Sequence, residues 1–134
     1  MGLTIRAAAC ALLSLSFARP ALAQSPVYYK VVDHGKDVNL GFYYSINPDC
    51  SARGFATAAV GSPPQGGQVL SVHSRDFPSF SSTNPRFVCN KRRIEGTKVW
   101  YRANPGFRGT DSFVLQIVDA NGDPKNFNVQ VAVR

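Results

Sequence analysis

The amino-acid sequence predicts an all-β domain, a β-sandwich of about seven antiparallel strands that follows an N-terminal signal peptide. Short segments with apolar residues at every second position recur along the chain, which is typical of strands with one buried face. Clusters of Gly, Pro, Asn and Ser separate these segments, and no segment shows the 3.6-residue apolar repeat of a helix. This combination favours a β-sandwich, with a barrel as the alternative closure.

A hairpin over residues 112–133 is the clearest predicted element. Segments 112–118 and 125–133 alternate between apolar and polar residues, and Asn121-Gly122 lies between them. Asn-Gly is a strong turn signal because both residues tolerate a positive φ. The positions expected to face the core are Phe113, Leu115 and Ile117 in the first segment and Phe127, Val129, Val131 and Val133 in the second.

The remaining strands are predicted to be shorter. Segment 97–102 should point Val99 and Tyr101 inward, which leaves Lys98, Trp100 and Arg102 on the solvent face. Segment 86–90 is expected to be a strand that carries Cys89. The other predicted strands are 27–32, 37–44, 52–60 and 68–73.

The first 23 residues have the features of a secretory signal peptide. Arg6 provides a positive start, residues 7–18 are mostly apolar, and Ala21-Leu22-Ala23 fits the small-residue cleavage rule. The apolar segment is too short to span a membrane as a helix. We therefore expect two parts, a signal peptide at 1–23 and one domain at 24–134, and a secreted or periplasmic location.

Cleavage would remove Cys10 and leave Cys50 and Cys89. An even pair of cysteines in an oxidising compartment predicts one structural disulfide. An alternative is a lipoprotein signal that ends at Cys10, since Ala8-Ala9-Cys10 resembles its cleavage site. That alternative leaves no hydrophobic region between Arg6 and Cys10, so it is not favoured.

A basic stretch over residues 86–108 is the sharpest local feature. The mature chain keeps 13 of the 15 basic residues against 8 acidic residues, a net charge of +5. One interpretation is a binding site for a polyanion such as lipopolysaccharide or an acidic polysaccharide. The favoured interpretation is a solvated strand face whose charges prevent edge aggregation. The candidate anion-binding residues are Arg86, Lys91, Arg92, Arg93, Lys98 and Arg102, and Arg108 also belongs to the stretch.

Catalysis has little support in the sequence. No nucleophile motif is present, and His34 and His73 lack metal-ligand spacing to either cysteine, so we expect no metal site and no cofactor. Ser71, His73 and Asp76 could meet in space, but their spacing does not argue for a triad. We therefore do not expect an enzyme.

Two further patterns have structural and functional interpretations. Asp119-x-Asn121-x-Asp123 resembles the opening of a calcium loop, but the rest of the loop is missing and a hairpin turn explains it. The pairs Tyr28-Tyr29 and Tyr43-Tyr44 should each place one ring inward and one outward. Exposed tyrosines of this kind can line a sugar- or peptide-binding surface.

The segment from Val99 to Phe113 resembles the signature of bacterial Ig-like and cadherin-like repeats. The shared pattern is Asn104-x-Gly106-Phe107-x-Gly109-x-Asp111-x-Phe113, and residues 62–69 resemble the entry to a middle strand of the same repeats. In such a corner the glycines let the chain double back, Phe107 closes the core, and Asp111 accepts backbone N–H bonds. The resemblance implies an Ig-like β-sandwich that acts as a spacer or an adhesive module.

These observations together predict an exported, non-enzymatic Ig-like domain that serves as a binding or structural module of the cell envelope. The alternative is a polyanion- or glycan-binding protein that uses the basic stretch. The expected partner is an anionic envelope component or another protein, and we do not expect nucleic acid.

Overall fold

The computed structural model describes residues 26–134, so the predicted signal peptide at 1–23 and the predicted mature start at Gln24 lie outside the described residues. The described chain is all-β, with eight strands and one short 3₁₀ helix. They are β1 (Val27–Val32), β2 (Asp37–Ile46), β3 (Ala52–Phe55), β4 (Thr57–Ser62), β5 (Gly67–Asp76), the 3₁₀ helix (Phe87–Lys91), β6 (Ile94–Ala103), β7 (Gly109–Val118) and β8 (Pro124–Val133).

The strands form two sheets of four, with the orders β1-β8-β7-β4 and β3-β2-β6-β5. Two expectations are corrected by this arrangement. There are eight described strands in place of about seven, and β1 pairs with β8 in parallel, with Val27 opposite Asn128 and Val32 opposite Val133. The other described pairings are antiparallel. As predicted, β7 and β8 form the C-terminal hairpin, joined by a turn in which Gly122 has a φ of 90°.

The predicted strand at 52–60 is two strands that belong to different sheets. β3 pairs with β2, whereas β4 pairs with β7. Ala56 lies between them and is buried, and its carbonyl accepts a bond of 2.7 Å from the hydroxyl of Thr97. The chain therefore crosses from one sheet to the other at a small residue that fits inside the core.

The main core is built from the alternating positions of both sheets, as the sequence predicts. β6 contributes Val99 and Tyr101, which are fully buried. Strand β7 contributes Phe113, Leu115 and Ile117, and β8 contributes Val129, Val131 and Val133. Because these side chains form one cluster, the two sheets pack face to face, and each buried aliphatic or aromatic side chain stabilises the fold by about 1.5–3 kcal/mol.

Asp111 is a buried carboxylate at the start of β7 that links the two sheets. Its Oδ1 accepts the N–H groups of Gln65 and Ser112 at 3.0 Å each. Its Oδ2 accepts the N–H of Gly66 and the hydroxyl of Tyr101, both at 2.8 Å. Burial and this bond to the carboxylate raise the pKa of Tyr101 above its usual range. The predicted backbone bonds of Asp111 thus reach the segment before β5, far along the chain.

The corner between β6 and β7 packs against the same segment. Gly106 and Gly109 have φ values of 80° and 124°, which L side chains rarely adopt, so the chain turns back where the sequence predicts. The Phe107 ring is half-buried against the main core and lies on Gly66. A Cβ at position 66 would clash with that ring, so any larger residue there would displace Phe107 from its packed position.

A β-bulge in β2 creates a second, smaller core on the outer face of its sheet. Before the bulge Val38 and Leu40 pack into the main core, and after it Tyr43 does so. The alternation has therefore shifted by one residue, which turns the other side chains of β2 outward. The outer cluster consists of Ile46, Cys89 and Ile94, with Phe42, Tyr44, Cys50 and Phe80 packed against it.

Residues 77–93, which we call the cap segment, cover this outer cluster. The predicted strand at 86–90 is wrong, because these residues enter the 3₁₀ helix. The Asn84 side chain accepts the N–H of Arg86, and the backbone carbonyl of Asn84 accepts the N–H of Phe87.

The predicted disulfide is confirmed, since Cys50 and Cys89 are bonded and Cys89 is fully buried. It attaches the cap segment to the connection between β2 and β3. Within residues 26–134, no helix is long and apolar enough to cross a membrane.

Loss of the disulfide should destabilise the domain strongly. The bond joins positions 39 residues apart, and closing a loop of that length stabilises the folded state by about 4 kcal/mol in the chain-entropy account. We expect the Cys50→Ser, Cys89→Ser variant to melt at least about 10 °C below the wild type. Calorimetry with and without reductant checks this, and reductant should not change the double variant. Free native thiols with an unchanged melting temperature would contradict the prediction.

Asp111→Asn should destabilise the fold more than Tyr101→Phe. The amide places an NH₂ group where two donors of the native structure point, whereas the phenylalanine removes a single hydroxyl. Buried donors left without a partner cost about 1–3 kcal/mol each, so we expect a loss of about 2–4 kcal/mol for the asparagine and about 1 kcal/mol for the phenylalanine. Urea unfolding measures both. Equal losses would show that the carboxylate is not the shared acceptor.

Candidate anion-binding surface

The predicted basic stretch does not form one surface, because strand β6 separates its members. Arg93 precedes β6, Arg102 lies near its end, and Arg108 follows in the next turn. A ten-residue strand extends over roughly 30 Å at about 3.3 Å per residue. The two ends of the stretch therefore lie at opposite ends of the sheet and cannot contact one small ligand together.

Lys98 and Arg102 face outward as predicted, but acidic residues from other strands neutralise them. Lys98 Nζ lies 2.6 Å from Asp76 Oδ2. Arg102 makes a bidentate pair with Asp37, with Nε and Nη2 at 2.8 and 2.7 Å from the two carboxylate oxygens. Hydrogen bonds from Arg102 and Lys98 lower the pKa of Asp37 and of Asp76. Lys98 and Arg102 are therefore largely neutralised by these ion pairs and are poor candidates for binding an anionic ligand.

The Arg86 side chain hydrogen-bonds within the protein rather than facing a ligand. It is half-buried, and its Nε donates to the carbonyl of Ile46 at 2.7 Å. This carbonyl lies at the end of β2, so the guanidinium satisfies a backbone acceptor beside the second core. Arg86 therefore holds the cap segment on the sheet, and we remove it from the candidate ligand-binding set.

The remaining predicted cations are exposed and consecutive in sequence: Lys91 is the last residue of the 3₁₀ helix, and Arg92 and Arg93 connect it to β6. Arg75 of β5 joins them, since its Nη2 donates to the carbonyl of Arg93 at 3.2 Å while Arg93 Nη2 donates to the carbonyl of Arg75 at 3.0 Å. We call this group of four the basic corner. A shallow depression of about 500 Å³ is lined by Ser74, Arg75, Arg92 and Arg93.

Neighbouring carboxylates do not close the basic corner. Hydrogen bonds from Ser51 lower the pKa of Asp49 most, and Arg92 adds a smaller Coulombic lowering. Arg93 likewise adds the smallest contribution at Asp76, whose main partner is Lys98. Among the described residues no ion pair within 4.0 Å involves Arg75, Arg92 or Arg93. Like charges on neighbouring residues repel one another, so an anion bound at this corner would reduce the repulsion among its cations.

Sequence reasoning missed Arg75 because the predicted strand ended at residue 73. The β5–β6 pairing continues to Asp76 opposite Ile94, which places Arg75 opposite Glu95. Ser74, Arg75 and Asp76 are three consecutive polar residues and carry no apolar alternation that would extend the strand. Without the pairing register, a strand end and the start of a loop look alike in sequence.

The residues considered for a triad do not assemble. Ser71 and His73 line an open cleft between β4 and β5, where the His73 ring stacks on Phe55 with centroids 3.8 Å apart. Asp76 is paired with Lys98 on the other face of the strand. Because Asp76 lies on the opposite face of β5 from Ser71 and His73, the three side chains do not meet as a triad requires.

The Asp119 loop is a turn closed by its own side chain. Asp119 Oδ1 accepts the N–H groups of Asn121 and Asp123 at 2.8 and 3.1 Å, and these bonds lower the pKa of Asp119. Gly122 supplies the positive φ. The hairpin interpretation accounts for these residues through backbone hydrogen bonds.

The tyrosine pairs differ from one another. Tyr43 packs into the main core, where burial raises its pKa, while Tyr44 faces the second core and accepts the N–H of Ser79. Neither ring of this pair is an exposed platform. Tyr28 and Tyr29 lie on β1, an edge strand of its sheet, and both are about half exposed.

Residues 26–134 contain no group of three or more His, Cys, Asp or Glu side chains suited to holding a metal ion. Comparison of the chain with protein-family models, curated proteins and solved structures found no match. The basic corner combines several exposed cations without an ion-pair partner within 4.0 Å among the described residues and an accessible depression. It is therefore the candidate site.

The ion pairs around β6 should make the stability of the domain pH-dependent. Asp37 and Asp76 have folded pKa values below the unfolded value of 3.8. Their stabilising contribution is therefore present above pH 3.8 and is lost as the pH falls through the lower folded values. We expect the melting temperature to fall progressively as the pH drops below about 4, where these carboxylates become protonated. The Asp37→Asn, Asp76→Asn variant should show a shallower fall over the same range, and parallel curves would contradict this.

Proposed function

We propose that the protein is an exported, non-enzymatic binding module of the cell envelope that holds an anionic component at the basic corner. The observation that carries this proposal is the convergence of Arg75, Arg92 and Arg93 on one depression. Arginine side chains present planar forks of N–H donors that match the oxygens of phosphate, sulfate and carboxylate groups. The expected ligands are therefore acidic polysaccharides or phosphate-bearing envelope molecules.

Export is supported by two independent features. The first 23 residues carry the charge, apolar segment and cleavage pattern of a signal peptide. The domain carries a disulfide between residues 39 positions apart, and such bonds persist in oxidising compartments. A secreted or periplasmic location accounts for both.

The finer fold assignment is also part of the proposal. We infer an Ig-like domain related to the bacterial cadherin-like repeats. Two packed four-stranded sheets and the glycine-rich corner around Phe107 and Asp111 support this assignment. Domains of this architecture commonly act through surfaces and loops presented by a rigid scaffold. A binding role at a loop-bearing end of the sheets is consistent with that behaviour.

The test is retention on immobilised heparin as a general polyanion. A triple variant should weaken heparin binding by about tenfold, since three exposed charge contacts contribute about 0.5 kcal/mol each. Its substitutions are Arg75→Ser, Arg92→Ser and Arg93→Ser. Retention of the wild type should fall steeply with salt, because ions screen exposed charges. The measurement is the salt concentration at elution, made on variants whose melting temperatures match.

A charge-matched control separates the site from net charge. Lys36, Arg108 and Lys125 are exposed and lie outside the basic corner, so their combined replacement by Ser removes the same charge. This control should elute close to the wild type. Lys98→Ser with Arg102→Ser should also have a small effect, since acidic partners already neutralise both cations. Equal losses in all variants would show that binding reflects overall charge, and the proposal would fail.

A further inference from the structure

Exposed apolar side chains stand directly beside the basic corner. Phe87 and Val88 are 45% and 64% exposed, and both lie in the 3₁₀ helix that leads into Lys91. We call these two residues the apolar tip. In a 3₁₀ helix residues three apart share a face, so Val88 lies on the same face as Lys91. Phe77, two residues beyond Arg75, is another exposed ring of the cap segment.

The apolar tip is held outward by the two residues that follow it. Cys89 points inward, is fully buried, and is bonded to Cys50. Asn90 makes two bonds of 2.9 Å to the backbone N–H and carbonyl of Phe80. Since these neighbours fix the helix on the second core, Phe87 and Val88 cannot turn inward without breaking the disulfide or the bonds of Asn90.

Apolar side chains that stay exposed in the free protein gain free energy when a partner removes them from water. A soluble polyanion would use the cations and leave the apolar tip in water. An anionic lipid surface accommodates both: its phosphate groups attract Lys and Arg, while rings and aliphatic side chains enter the boundary between headgroups and acyl chains. The combination of charge and apolar exposure therefore selects a lipid surface.

We propose that the cap segment docks the domain on an anionic lipid surface, with Phe87 and Val88 inserted at the headgroup boundary and the basic corner on lipid phosphates. This inference rests on the proposed function and names its ligand class. It requires no rearrangement of the sheets, because the disulfide already presents the apolar tip. The domain would then stand on the membrane by one end, with the β6–β7 corner directed away from it.

The experiment is sedimentation of the disulfide-bonded protein with vesicles. Mixed vesicles of phosphatidylglycerol and phosphatidylcholine should bind the wild type, and pure phosphatidylcholine should bind it at least tenfold more weakly. Phe87→Ser with Val88→Ser should weaken binding to the mixed vesicles by about tenfold or more and leave heparin retention unchanged. The matched control is Tyr29→Ser with Val31→Ser, an exposed aromatic and aliphatic pair on β1, which should bind as the wild type does.

A second measurement does not depend on loss of binding. Trp100 is the chain's single tryptophan, so Phe87→Trp in a Trp100→Phe background reports on the apolar tip alone. Its fluorescence should shift to the blue with mixed vesicles and stay constant with heparin. An unshifted spectrum on bound vesicles would overturn the insertion.

The outcomes also separate this inference from the proposed function. Heparin retention without vesicle binding would point to a soluble polyanion, which overturns the lipid inference and leaves the proposed function intact. If the Phe87→Ser, Val88→Ser variant still binds vesicles but loses self-association, the apolar tip is a contact between copies of the chain. That outcome would also overturn the lipid inference. Heparin and vesicle binding that both survive replacement of Arg75, Arg92 and Arg93 would remove both proposals.

Discussion

The buried carboxylate of Asp111 is the constraint on which the arrangement of the two sheets depends. A charge without a cationic partner is stable in the interior only when hydrogen bonds replace its hydration. Four donors from β6, β7 and the segment before β5 meet this requirement. Because the donors come from both sheets, the carboxylate sets how β7 lies over β6. The same bonds hold the Tyr101 ring, which stacks on Phe113 with centroids 5.6 Å apart.

At the opposite end of the molecule, the packing depends on the β-bulge in β2. The bulge at residues 39–41 shifts the alternation of β2, and this turns Phe42, Tyr44 and Ile46 to the outer face. An apolar outer face needs a cover, and residues 77–93 supply it. The disulfide then stabilises a segment that has little regular secondary structure of its own. Three of the four cations of the basic corner lie on this cover, so their position depends on the second core.

The surface charge also differs between the middle of the β3-β2-β6-β5 sheet and the cap segment. Cations on the outer face of β6 meet aspartates from β2 and β5, so the middle of the sheet is close to neutral. Lys91, Arg92 and Arg93 lie beyond the strand and gain a fourth cation in Arg75. Local charge density in the sequence therefore differs from charge density at the surface. Ion pairing between strands that are distant in sequence accounts for the difference.

Period-two alternation by itself determined the β class, the C-terminal hairpin, and the inward positions of Val99, Tyr101, Phe113 and Leu115, because alternation is a local consequence of strand geometry. The disulfide also followed from the cysteine count, once the predicted signal peptide was set aside. Only the tertiary structure decided the parallel pairing of β1 with β8, the crossing at Ala56, and the 3₁₀ helix at 87–91. It also decided which cations are free. The 3₁₀ helix depends on hydrogen bonds of Asn84, which a local apolar pattern does not reveal. The other features depend on register and on contacts between residues far apart in sequence, and such contacts leave no periodic signal in one chain.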